Sequence, residues 1–168
     1  MANFDGIRGQ KIIYLFRKYS ERTTTAGLNV AYVSDNSKSI SSNADTVATK
    51  DGNFSPGQSP EITLSASAYV KKGDELVDKL KSALLNSEML EIWEANLDEP
   101  GTTSGKYKGT YYQGYITGLT LNSTAEEWAS YDLEFTINGK GADGDVTVPA
   151  SIVEESDYVF ADSVQAQQ

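Results

Sequence analysis

The chain of 168 residues contains no cysteine and no histidine. It therefore lacks disulfides, thiolate metal sites, the commonest general base and the commonest metal ligand. Basic residues are also scarce, since 14 Lys and Arg stand against 24 Asp and Glu, for a formal net charge of −10. A nucleic-acid binder needs a basic surface to neutralise phosphates. This composition favours a structural or binding protein, although carboxylates and lysines can still do chemistry. We expect no catalytic residues, no metal and no cofactor.

Long apolar runs are absent as well. No stretch reaches the length of apolar residues that a membrane-spanning helix needs. Residues 1–6 lack the basic and apolar regions of a secretory signal. We expect a protein that does not insert into membranes and that folds in a cytoplasm.

Most of the remaining sequence is typical of β-strands, and the segment 129–138 is the clearest case. Apolar Tyr131, Leu133, Phe135 and Ile137 alternate there with polar Asp132, Glu134, Thr136 and Asn138. This alternation predicts a strand with one buried face and one wet face. Strands are also predicted at 11–19, covered on both faces, at 28–33, at 61–70 and at 106–121, where glycines indicate bulges.

One segment, about 74–86, has the spacing of an amphipathic helix. Asp74 is the predicted N-cap. The apolar stripe, which predicts the core between helix and sheet, consists of Leu76, Val77, Leu80, Ala83 and Leu84. The predicted fold class is therefore mainly β: an antiparallel β-sandwich or barrel with one flanking α-helix.

Three stretches have the composition of loops, turns or tails. Residues 34–60 are rich in Ser, Gly and Pro and predict a long loop, in which 46–49 could pair as a short strand. Residues 139–144 predict a turn before a last strand at 145–148. Residues 150–168 are polar and acidic and predict a C-terminal arm that follows one domain of residues 1–149.

Motifs of catalysis are weak in this sequence. Gly139, Gly141 and Gly144 fit G-x-G-x-x-G, but a strand-like segment follows where a dinucleotide site needs a helix, so a turn is favoured. Adjacent acidic residues point to opposite faces of a strand and do not form the converging pair of a hydrolase. The many tyrosines leave open an alternative function, a β-sandwich module, such as an adhesin domain, that binds carbohydrate or a host surface.

Several segments, taken in order, resemble the major tail protein family of long-tailed bacteriophages, also found in gene transfer agents. Each segment alone is modest, but their order and spacing over residues 1–145 are specific. The segments are ANFDG (2–6), IIYLFR (12–17), ATKDG (48–52), the helix 72–84, LEIW (90–93), GKY and YYQGY within 105–115, and LEFTINGKG (133–141).

The resemblance implies a major tail tube subunit, a structural virion protein with no active site. Such subunits form hexameric rings that stack into a hollow tube, and the genome passes through it from capsid to host cell. Each subunit contributes four strands to the barrel around the channel, while long loops and terminal arms bind neighbouring rings. The implied partners are other copies of the chain and the tail terminator, tape measure and tail-tip proteins. The implied location is the virion tail, assembled in the host bacterial cytoplasm.

Two hypotheses about residues follow from the pattern and the resemblance together. The polar face of 129–138 (Asp132, Glu134, Thr136, Asn138) faces the channel, where acidic or neutral side chains would let DNA pass without binding it. The alternative is that this face is exposed to solvent on the outer surface. Contacts between rings are assigned to the loop 34–60, centred on Thr49, Lys50, Asp51 and Gly52, and to the C-terminal arm.

Overall fold

A computed structural model describes residues 5–156 of the chain, with the side chains of 154–156 left out. The chain is mainly antiparallel β with one main helix, which confirms the predicted fold class. The elements, in chain order, are β1 (Ile12–Lys18), β2 (Val33–Ser41), β3 (Val47–Thr49), β4 (Gly52–Phe54), β5 (Glu61–Tyr69), α1 (Glu75–Leu85), β6 (Leu90–Pro100), β7 (Tyr107–Asn122), β8 (Ser130–Val146) and α2 (Ala150–Ser156).

Six strands form one antiparallel sheet in the order β1-β6-β7-β8-β5-β2, and β3 and β4 form a separate hairpin. The sheet folds over on itself. The rings of Phe16 in β1 and Phe135 in β8 stack with their centroids 4.7 Å apart, although three strand spacings of about 4.8 Å separate these strands along the sheet. The two halves of the sheet therefore face each other across one apolar core.

The helix α1 packs on this core. The carboxylate of Asp74 accepts a hydrogen bond from the backbone N–H of Leu76 at 3.1 Å, so Asp74 caps the helix. Leu76, Val77, Leu80 and Ala83 are buried in the core, and Leu84 is half-buried against it. Fully buried Ile92, Leu133 and Phe135 lie in the same cluster.

A smaller apolar cluster covers the opposite side of β1. It contains Leu15, Ala95, Val146 and Val148, with Ile152 and Val153 of α2 packed against it. Tyr14 and Phe16 belong to the main core, so β1 is covered on both faces, as predicted. The first seven residues of the predicted C-terminal arm are thus the helix α2, docked on its own subunit; residues 157–168 lie outside the described part of the chain.

The predicted turn at 139–144 is wrong. β8 runs through these residues and continues to pair with β7, where Tyr111 lies opposite Ala142 and Gln113 opposite Asn138. Tyr112 alone therefore faces three residues of β8. Gly139 and Gly141 have φ of 73° and 74°, which lets the strand bulge and continue instead of reversing. The bulges expected in β7 are confirmed by register shifts after Tyr111 and Ile116.

The predicted loop 34–60 is wrong in its first part, because residues 33–41 form the edge strand β2. The predicted strand 28–33 is also wrong, since Leu28 makes only an isolated bridge to Phe16 before a turn. β2 holds its place through backbone pairing with β5 over most of its length. An edge strand with one solvated face needs few apolar residues, so its serine-rich sequence resembles a loop. The short strand expected at 46–49 is confirmed as β3.

Candidate functional site

The polar side of β8 lies on the surface of the sheet away from the core. Asp132, Glu134 and Asn138 are exposed and Thr136 is half-buried, while Leu133, Phe135 and Ile137 between them are buried. The structure therefore places the four residues on one solvent-accessible face.

The neighbouring strands extend this face, which we call the polar sheet face. On β5 it continues with Thr63, Ser65 and Ser67, which pair with Thr136, Glu134 and Asp132. On β2 it continues with Asp35, Ser37 and Ser39, and on β7 with Tyr115 and Thr120. By strand alternation over β2, β5, the half of β7 after Gly114 and residues 130–138 of β8, the face carries the carboxylates of Asp35, Glu61, Asp132 and Glu134 and no Lys or Arg.

Asp132 is held in its charged form within this face. Its carboxylate accepts hydrogen bonds from Ser67 Oγ and from Asn122 Nδ2, each at 2.7 Å. These bonds favour the ionised carboxylate, so the pKa of Asp132 lies below its ordinary value. Because the three residues belong to β8, β5 and β7, the same bonds tie three strands of the face together.

The four strands β2, β5, β8 and β7 end in a free edge on each side. Within residues 5–156, β2 pairs only with β5 and is the last strand of the sheet. On the other side, β6 pairs with β7 from Tyr107 to Gly114, so no strand of residues 5–156 pairs with that side of β7 beyond Gly114. Unpaired edges offer backbone donors and acceptors to another chain.

Lys38, Glu94 and Tyr14 form a polar clasp that connects β2 to β6 and β1. Lys38 Nζ of β2 donates to Glu94 Oε1 of β6 at 2.9 Å, and the hydroxyl of Tyr14 donates to Glu94 Oε2 at 2.8 Å. The clasp joins β2 to β6 and β1 across a groove of about 1020 Å³. Burial, and then the charge of Glu94, raises the pKa of Tyr14 well above its ordinary value, so the phenol remains a donor.

A second polar cluster adjoins the polar sheet face, because Glu91 of β6 lies opposite Gln113 of β7, which lies opposite Asn138 of β8; the cluster is centred on a buried charge. The side chain of Glu91 is 1% exposed and accepts hydrogen bonds from Arg17 Nε and from the hydroxyl of Tyr111, both at 2.7 Å. The guanidinium of Arg17 also lies 4.8 Å from the ring centroid of Trp93. Sequence reasoning missed this network, because its members come from three different strands.

The four residues predicted to form ring contacts lie at the exposed tip of the β3–β4 hairpin. Lys50 and Asp51 form the turn between the paired residues Thr49 and Gly52, and Thr49 Oγ1 donates to the Gly52 carbonyl at 2.6 Å. Gly52 has a φ of 127°, a conformation that favours glycine. The geometry thus presents a short projecting hairpin in place of an irregular loop.

Neither a clustered acidic site nor a membrane-spanning helix occurs within residues 5–156. Among residues 5–156, no three or more acidic side chains come together as a candidate metal site. None of the helices within the same residues is both long and apolar enough to span a bilayer.

Comparisons with known proteins find similar proteins in phage tails. The chain is 28% identical over 159 residues to a putative tail protein of Staphylococcus phage phiMR25, covering 92% of this chain and 81% of that one. It is 27% identical to the tail tube protein gp17.1* of Bacillus phage SPP1, covering 89% of this chain and 56% of that protein's length.

Solved structures share the fold. The SPP1 tail tube matches with a TM-score of 0.75 and 17% identity, over 97% of this chain and 92% of the other. The tail of an empty gene transfer agent particle, refined with C6 symmetry, matches with a TM-score of 0.63 and 12% identity, over 82% and 98%. The sequence profile of the phage tail tube proteins matches residues 6–143. The chain therefore belongs to the phage tail tube protein family, whose members are structural components of the virion tail.

Proposed function

We propose that this protein forms six-membered rings that stack into a hollow tube, with the polar sheet face lining the channel through which the genome passes. The observation that carries the proposal is the four-stranded block β2-β5-β8-β7, with a solvated acidic face and a free edge on each side. The tube is a structural part of the virion and not an enzyme.

Pairing between copies would satisfy both free edges. The edge of β2 in one subunit would join the C-terminal half of β7 in the next, and repetition around a ring closes the sheet into a barrel without edges. The tail of a gene transfer agent, which has the same fold, was refined with C6 symmetry, and this supports six subunits per ring.

The size of such a barrel suits a DNA duplex. Six subunits with four strands each give 24 strands, and at a spacing of about 4.8 Å and a tilt of 35–45° the backbone diameter is roughly 45–50 Å. Side chains on the inner wall narrow this bore but leave room for a duplex.

The charge of the polar sheet face suits passage without binding. Basic contacts to phosphates give non-specific dissociation constants on the order of 10⁻⁴–10⁻⁶ M, and repeated rings would multiply this retention. The face carries four carboxylates and no Lys or Arg, so DNA would meet a repulsive wall. Asp132, Glu134, Thr136 and Asn138 are the lining residues of β8.

The β3–β4 hairpin, with Thr49, Lys50, Asp51 and Gly52 at its tip, and the chain after Pro149 are proposed to contact neighbouring rings. The tube would be assembled in the host bacterial cytoplasm and would contact tail terminator, tape measure and tail-tip proteins. DNA would pass through without specific binding.

Electron microscopy of the concentrated protein tests the proposal. We expect tubes in negative stain, and a reconstruction that shows stacked rings of six subunits with the polar sheet face inside. A protein that remains monomeric at high concentration, or a tube with Glu134 on its outer surface, would refute the proposal.

A further inference from the structure

The strands of the block β2-β5-β8-β7 end side by side, so the block has two distinct ends. Tyr69 pairs with Ser130 at one end, and Ser41 pairs with Glu61 at the other. With β5 nine residues long and a rise of about 3.4 Å per residue, the ends are roughly 27 Å apart.

Exposed apolar side chains cluster at the first end. Tyr32, Tyr69, Val70 and Trp128, which we call the aromatic end patch, are 66%, 51%, 37% and 87% exposed. Backbone hydrogen bonds bring their segments together: Tyr69 N–H donates to the Tyr32 carbonyl at 3.1 Å, and Val70 N–H to the Ala129 carbonyl at 2.9 Å. Exposed apolar patches of this kind mark interaction sites.

The backbone at Tyr32 supports an interaction role. Tyr32 has a φ of 52°, a conformation that is unusual for a bulky residue other than glycine. Backbone strain of this kind concentrates at functional sites. Here the strained backbone holds the Tyr32 ring on the surface, so packing in the core does not explain the strain.

The β3–β4 hairpin follows β2 at the opposite end. Val47 and Phe54 are direct cross-strand partners, and they remain 50% and 61% exposed. A two-stranded hairpin is marginally stable in water unless another surface covers it. The hairpin carries Lys50 beside Asp51, and the aromatic end patch is flanked by Glu126 and Glu127 and by Lys71, whose Nζ lies 6.0 Å from the Tyr32 ring centroid. Each surface therefore offers charges of both signs for pairing with the other.

We propose that Val47 and Phe54 of one subunit pack on the aromatic end patch of a copy in the adjacent ring, with Lys50 near Glu126 and Glu127. This inference rests on the proposed tube function and names the two surfaces of its axial contact. Since the surfaces differ and lie at opposite ends, the contact is head-to-tail and repeats without closing. A self-complementary contact would stop at two rings.

The absence of native cysteine permits a direct crosslinking test. The double variant Phe54→Cys/Trp128→Cys, assembled and then oxidised, is expected to give a ladder of covalent oligomers on a non-reducing gel. Disulfides require Cα atoms about 4.4–6.8 Å apart, so the two positions cannot crosslink within one subunit. The matched control is Phe54→Cys/Leu85→Cys, since Leu85 is 75% exposed on α1, and it should give no ladder.

A truncation variant gives a second readout. Trp128→Ala removes an exposed side chain and should leave the fold intact, but it should raise the critical concentration for tube growth at least about tenfold, as loss of an aromatic anchor does. Leu85→Ala should grow tubes like the wild type. Wild-type tubes together with no Phe54–Trp128 ladder and normal tubes from Trp128→Ala would overturn this inference and leave the proposed function standing. Absence of tubes from the wild type would overturn both.

Discussion

The negative charge of the channel wall can be reversed in steps by substitution. DNA should be retained only when the net charge of the wall becomes positive. Asp35, Glu61, Asp132 and Glu134 give the polar sheet face a charge of −4 per subunit. Each change of a carboxylate to lysine adds two units, so Glu134→Lys leaves −2 and the further change Glu61→Lys leaves zero. Only the triple variant, with Asp35→Lys added, makes the wall positive. Asp132 is kept, because it ties three strands together.

The magnitude follows from counterion release and screening. At 0.15 M salt the Debye length is about 8 Å, so fixed wall charges act on phosphates only over a short gap, which long lysine side chains cross. If about six lysines of a six-membered ring contact phosphates, the slope of log K against log salt is roughly −5. Retention should then fall about 10³-fold or more between 50 and 200 mM salt.

The assay is nuclease protection of labelled duplex DNA present during tube assembly. Wild type and Glu134→Lys should protect almost none, and the triple variant should protect DNA in a strongly salt-dependent way. The control Glu75→Lys/Asp78→Lys/Asp98→Lys makes the same change of net charge at exposed positions off this face, and its bound DNA should remain nuclease-sensitive. Triple-variant tubes that protect no more DNA than wild-type tubes would refute the channel assignment.

Three further predictions concern stability and assembly. Arg17→Met removes the nearer cation from the buried carboxylate of Glu91 and leaves the half-exposed guanidinium of Arg22, 3.6 Å away, so it should lower the free energy of unfolding by about 1–3 kcal/mol in urea titrations; an unchanged midpoint would show that the Arg17–Glu91 pair adds nothing. Thr102 and Thr103 donate to the carboxylate of Asp145 and lower its pKa from 3.8 to about 2. Its stabilising effect should be complete above pH 4 and lost as pH falls through 2, so Asp145→Asn should lower the melting temperature at neutral pH and converge with wild type near pH 2; a constant difference would contradict this. Deleting residues 43–57 removes the hairpin and spares β2, so a folded chain that forms rings without stacked tubes is expected in electron micrographs, and normal tubes would disprove the hairpin's role.

Local patterns explain which parts of the fold were predictable. The alternation in 129–138 and in 61–70 specifies which face of each strand is buried, because successive side chains of a strand point to opposite sides. The stripe from Leu76 to Leu84 and the cap at Asp74 define α1 for similar local reasons. β2 escaped prediction because backbone pairing to a neighbour holds an edge strand, and its own sequence carries little of that information.

The candidate site likewise has parts that the sequence predicted and parts that it did not. The polar face of β8 was visible in the sequence, and so was the hairpin tip at Lys50 and Asp51. The continuation of that face onto β5 and β2, the free half of β7 and the aromatic end patch were not. Trp128 offered one usable signal, a large aromatic residue within the polar segment 122–129, but only its 87% exposure distinguishes it from a core residue.

By itself the sequence determined the composition and the acidic charge, which are sums over the chain, and the periodicity of strands and helix, which depends on residues near one another. It also determined the resemblance to tail proteins, which rests on the order and spacing of segments along the chain. Only the tertiary structure decided that Gly139 and Gly141 let β8 continue through a bulge, and that four strands present one acidic face between two free edges. These features arise from pairing between segments far apart in the chain. Such pairing is selected by the packing of the whole core, which no local pattern encodes.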